Sequence, residues 1–102
     1  MKKIQKEVDK WAKGLKIGYF KPLEILARLV EEVGELAREL NHRFGPKKKK
    51  STEDDKEVGG EVADIIFTLV CLANSLDIDL TESFNNVMAK IKRRDAKRWE
   101  KK

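Results

Sequence analysis

Val58, Val62, Ile65, Leu69, Leu72 and Leu76 recur at helical spacing, which predicts a helix over residues 53–76 with one apolar stripe. Glu57, Glu61, Asp64 and Thr68 run beside that stripe. Residues 23–40 repeat the arrangement: Leu26, Leu29, Val33, Leu36 and Leu40 form the stripe, with Arg28, Glu32, Glu35 and Glu39 alongside. Ile4, Val8, Trp11 and Leu15 predict a first helix ending near Gly14, and Phe84, Val87, Met88 and Ile91 predict a last one. Local chemistry supports these limits. Pro22 suits the first turn of the second helix, where its missing N–H is harmless, and that helix is expected to reach Asn41 or Arg43. Thr52 is placed to cap the third helix; Asp79 is placed to cap the fourth, with Glu82 at the third helical position. No alternating strand pattern and no internal repeat occurs, so the expected fold is all-α, a single four-helix domain over residues 1–102.

The third helix carries a second apolar set, Ile66, Phe67, Val70 and Cys71, and is therefore apolar nearly all round. Helices of that kind are buried on all sides, and in so short a chain a second subunit is the simplest source of cover. Dimerisation through this helix is the expectation. Gly59-Gly60 weakens its first turns and suggests a bend, a delayed start or a close backbone approach. Residues 44–52, with four successive lysines, predict a mobile basic loop, and residues 95–102 a fraying basic tail.

Charge is segregated along the chain. The formal net charge is +5, but residues 53–64 hold six acids against Lys56 whereas residues 90–102 hold eight basic residues against Asp95 and Glu100. A polyanion such as DNA would be drawn to the tail and repelled by the middle, whereas a metal-bound polyphosphate could use both. The paired acids of the two central helices would repel one another if those helices pack, and a hard divalent cation with oxygen ligands is the ordinary compensation. Cys71 is the only cysteine and His42 the only histidine, which excludes an internal disulfide and argues against zinc. No run approaches a spanning helix and no signal peptide is evident, so the expected location is the cytoplasm.

Glu31-Glu32-x-x-Glu35 followed by Glu61-x-x-Asp64, together with the run from Ala27 to Glu39 and the segment from Val70 to Leu76, resembles the MazG-like all-α nucleoside triphosphate pyrophosphohydrolases, in their small stand-alone branch. The resemblance spans nearly the whole chain. It implies a four-helix protomer completed as a homodimer or a dimer of dimers. It also implies Mg²⁺-dependent hydrolysis of an NTP or dNTP to the monophosphate and pyrophosphate, with Mn²⁺ as a substitute ion and cleansing of the nucleotide pool as a role. Carried over by motif, Glu32, Glu35, Glu61 and Asp64 become metal ligands, with Glu31 as a nearby acid that orients water or supports a second ion. Lys90, Arg93 and Arg94 resemble the phosphate-contacting positions. Many relatives have an asparagine where this chain has Met88, with Asn85 and Asn86 one turn earlier.

Asn86 is the candidate for sugar or phosphate contact. Trp11 is a candidate for stacking on a base, because flat rings stack on nucleobases. The competing reading of every acid is a solvated helix face, and of each aromatic ring a core residue. A nucleic-acid-binding or regulatory dimerisation module would account for the basic segments but leaves the two acid motifs beside an apolar face unexplained. Nucleic acid and membrane are not expected partners.

Overall fold

Pro22 opens the longest helix, and the residues behind it decide what that helix can pack against. The computed structural model describes residues 1–46, 54–100 and 102, with residues 54–56 in backbone only. Four helices follow in order: α1 (Lys2–Lys13), α2 (Pro22–Phe44), α3 (Asp54–Ser75) and α4 (Leu80–Asp95). The all-α, four-helix expectation therefore holds. Lys21 N–H donates to the Glu24 carboxylate at 3.0 Å, closing the first turn of α2. The Asp79 carboxylate accepts from Thr81 N at 2.9 Å and Glu82 N at 3.2 Å, capping α4 as its sequence predicts. Replacing Asp79 by alanine is expected to lower stability by about 1 kcal/mol, measured as a shift in urea midpoint with unchanged slope. Most of the lysine-rich loop, and Thr52 with it, lies outside the described residues.

α3 packs along α2 and on α1, while α4 has α1 as its principal neighbour. Ile25 of α2 lies near Thr68 of α3, and Glu35 near Glu61, so the two helices run antiparallel. The buried face of α2 is Ile25, Leu29, Glu32, Leu36 and Glu39, with Ile25 and Glu32 each only 4% exposed. On α3 the deepest residues are Thr68, Val70 and Ala73.

These faces correct the predicted stripes. Val58, Ile65 and Leu72 are half-buried, but Val62, Leu69 and Leu76 are exposed; on α2, Leu26, Val33 and Leu40 are exposed too. Periodicity alone could not select the packed face, because both helices carry two apolar stripes and the acids lie within the one that meets the neighbour. Val70 is fully buried within the single chain, so that residue needs no second subunit for cover. Gly59 and Gly60 cause no delayed start, since α3 begins before them. Nothing among the described residues lies within 4 Å of a Cβ built at either position, so no close approach explains them. Glu57–Ser75 has the length and apolarity of a membrane span, closer to one than its sequence suggested. Its Glu61 and Asp64 meet Glu32 of the packed helix α2, an arrangement that hydrocarbon would penalise unless other groups enclosed them.

A hydrogen-bonded joint gathers distant segments. Gln5 donates to the Asn74 side chain at 2.9 Å and to Ile78 O at 2.8 Å, and accepts from Leu80 N at 2.9 Å. Asn74 Nδ2 donates to Tyr19 Oη at 3.0 Å, and that hydroxyl donates to Asp9 at 2.6 Å. Gly18 (φ 64°) supplies the left-handed residue that turns the chain into Tyr19, a conformation cheap for glycine. Asp77 (φ 55°) ends α3 in the same region, with Ile78 N donating back to Ala73 O at 2.8 Å, a Schellman-type closure.

Burial, followed by the hydrogen bond to Asp9, pushes the Tyr19 hydroxyl up to about 12. A raised acid pKa means the folded state keeps its proton longer than the unfolded chain. The stability due to neutral Tyr19 is thus fully present below about pH 10 and is lost as pH rises through 12. Tyr19 is the only tyrosine. Ultraviolet titration should therefore show one midpoint near 12 in the folded protein and one near 10 in denaturant.

Candidate metal and nucleotide site

Glu32 occupies a core position of α2, and Glu61 and Asp64 lie one turn apart on the facing stretch of α3. Antiparallel packing brings them together: one carboxylate oxygen from each lies within 4.8 Å of the others. Glu32 is buried, Glu61 half-buried and Asp64 exposed. The cluster therefore reaches from the core to the surface. Oε1 of Glu32 accepts from Arg28 Nε at 2.8 Å, whereas Oε2 of Glu32 and Oε2 of Glu61 are buried without a hydrogen-bond partner. Orphaned carboxylate oxygens out of water are costly, and they are the donors a hard divalent cation takes. The residues present fit such an ion.

Burial raises the Glu61 carboxyl above its ordinary value, and the negative charge of Glu35, a hydrogen bond with Glu35, and the charges of Glu32 and Asp64 push the same way. Glu35 thus adjoins Glu61, in a small cleft shared with Arg38 and Glu39. Glu31 is exposed on α2 and lies outside the three-carboxylate group. Thr68 Oγ1 donates to Asp64 O at 2.8 Å, fixing the turn that carries Asp64.

A cavity of about 270 Å³ opens beside the cluster, walled by Phe20, Ile25, Arg28, Phe67, Thr68 and Cys71, with Glu32 and Asp64 at its polar end. Burial raises the Cys71 thiol, so it stays neutral there. Trp11 meets Phe67 edge-on, with centroids 5.6 Å apart, and so backs one wall of the cavity. Phe67 and Cys71, expected from the sequence only as part of an apolar face, line the cavity; the spacing of Thr68 from Asp64 is the one sequence signal on this side of α3. Lys90, Arg93 and Arg94 line a separate cleft of about 520 Å³ on α4, with Val87 and Ile91. Asn86 is exposed on that helix.

An antiparallel helix pair with a carboxylate cluster in its packed face and a cavity alongside defines an all-α protein with a candidate divalent-cation site. Residues 20–99 match the MazG nucleotide pyrophosphohydrolase domain, and the chain belongs to that family. It is 58% identical to the Bacillus subtilis (strain 168) protein YpjD, over 100% of this chain and 92% of that one. The crystal structure of Bacillus subtilis YpjD is similar with a TM-score of 0.81 at 60% identity, covering 87% of this chain and 91% of the other. A Bacillus-conserved MazG protein, described as a nucleotide pyrophosphohydrolase, superposes with a TM-score of 0.77 at 46% identity, covering 88% and 86%.

Proposed function

We propose that the protein hydrolyses a nucleoside triphosphate, NTP or dNTP, between its α and β phosphates, releasing the monophosphate and pyrophosphate, with Mg²⁺ or Mn²⁺ as the working ion. The observation that carries this reading is the convergence of Glu32, Glu61 and Asp64 beside a cavity sized for part of a nucleoside. Glu32, Glu61 and Asp64, with Glu35 next to Glu61, would hold the ion. The chemistry the ion supplies when bound is charge neutralisation on phosphate oxygens and a more acidic water. Phe20, Phe67 and Ile25 give the cavity apolar walls suited to a sugar or base, and Trp11 steadies Phe67. Glu31, exposed one position before Glu32 on α2, would serve as a nearby acid that orients water or supports a second ion.

Assembly completes the proposal. The radius of gyration is 17.1 Å, against about 13 Å for a compact domain of this length. Leu26, Val30, Val33, Leu40 and Phe44 form an exposed seam on α2, and Val62, Ile66, Leu69 and Leu76 another on α3. α4 buries none of its residues. A second copy covering these faces would make a homodimer, and assembly would carry Lys90, Arg93, Arg94 and Asn86 into reach of phosphate or sugar. A cytoplasmic location follows from such a substrate.

Incubation with mixed ribo- and deoxyribonucleoside triphosphates is the direct test, with Mg²⁺ and with chelator. Monophosphate and pyrophosphate in equal amounts, only with metal, are expected. Diphosphate plus inorganic phosphate would define another reaction, and no turnover would favour a regulatory module.

A further inference from the structure

Arg28 is the only cation among the described residues that line the cavity, and its partner is the most buried carboxylate of the cluster. The two lie one turn apart on α2, with side-chain exposures of 67% for Arg28 and 5% for Glu32. An exposed pair at this spacing has little effect, because water screens it and both side chains are free to leave. Here only one partner is free. Glu32 has no water to turn to, and its Oε1 is engaged by Arg28 while Oε2 has no partner.

We propose that Arg28 is a positioning residue for the metal cluster: by holding Oε1 of Glu32 it fixes the carboxylate rotamer that leaves Oε2 free for the ion. The proposal rests on the metal-dependent reading above and adds a residue outside the acid motifs. Hydrogen bonds to a ligating carboxylate set its orientation and basicity, and their loss typically weakens metal binding 10–100-fold. The positive charge of Arg28 would itself oppose an incoming cation. That opposition is reduced because the guanidinium is largely in water, whereas the hydrogen bond to Glu32 Oε1 acts on a group that water does not reach.

The test is calorimetric titration of Mn²⁺, without nucleotide, into the full-length parent, Arg28→Met and Arg28→Lys, with circular dichroism to confirm folding. Methionine keeps an unbranched apolar stem but no donor; lysine keeps the charge and a donor group, though not the planar guanidinium. The expected result is a 10–100-fold weaker metal affinity in Arg28→Met, most of it restored in Arg28→Lys, and turnover in Arg28→Met recovering towards the parent value at saturating metal. Metal affinity within twofold of the parent in Arg28→Met would overturn the proposal, as would tighter binding, which would make the charge's repulsion the dominant effect. A raised nucleotide KM at saturating metal with unchanged metal affinity would also overturn it, assigning Arg28 to substrate phosphate. If the parent bound no metal, the underlying reading would fail and this proposal with it, an outcome distinct from failure in the variants alone.

Discussion

Glu61→Gln is expected to lower turnover by about 100-fold or more while leaving the helices folded, because shape and length are kept and one charge of the proposed ligand set is removed. Its stability should move the other way. The Glu61 carboxyl is raised from an ordinary 4.5 by burial and by the surrounding carboxylates. Between the unfolded and folded values the metal-free native state binds more protons than the unfolded chain, so the contribution from Glu61 is full below about pH 4.5 and is lost as pH rises through the raised value. Glutamine has no such loss. Without metal, calorimetric melting temperatures at pH 7.5 should therefore be equal or higher in the variant. With Mg²⁺ the order should reverse, because an ion held as proposed would bind the ionised native cluster and stabilise it by mass action. A Mg²⁺-induced rise as large in Glu61→Gln as in the parent would place the ion elsewhere.

The second large effect concerns assembly. Val33→Lys combined with Leu69→Lys should convert a dimer into a monomer at micromolar concentration in sedimentation equilibrium, with helical content close to the parent. Both side chains are largely outside the protomer core, at 48% and 41% exposure, so the single chain tolerates lysine there. A desolvated interface does not: an unpaired buried charge costs about 3 kcal/mol or more, roughly a 100-fold weakening for each site. Loss of turnover should accompany dissociation if α4 serves the site only within the assembly. A parent chain that sediments as a monomer would remove the assembly proposal altogether.

Element type and most helix limits were legible because local chemistry decides them. Pro22 and Asp79 act within one turn, and their signals need no knowledge of what lies across the core. The packed faces were less legible. Leu26 and Leu69 belong to well-formed apolar stripes, yet the structure leaves both exposed and buries Glu32 and Thr68 instead. A hydropathy pattern scores a buried carboxylate as a surface residue, so acids inside a packed face displace the inferred stripe by about one residue. The acid spacings still pointed to the cluster, since residues three or four apart share a helix face whichever face is packed. Cys71 and Phe67 as cavity walls, and Arg28 as the partner of Glu32, depended on tertiary placement. So did the joint of Gln5, Tyr19 and Asn74, whose members lie up to 69 residues apart in sequence.

That joint has a bearing on how the chain acquires its shape. α2 and α3 are sequence neighbours and can pair through a short loop closure, so they are the natural early unit. α4 is held chiefly against α1, the one of the other three helices farthest from it along the chain. Gln5 bridges the end of α3 and the first turn of α4 through contacts spanning 69 to 75 residues. During synthesis Gln5 of α1 must wait until residues 74–80 have been made before its amide finds those partners, and they are what ties α4 to α1. Docking of the first helix is therefore expected to be a late folding event that orients the last one.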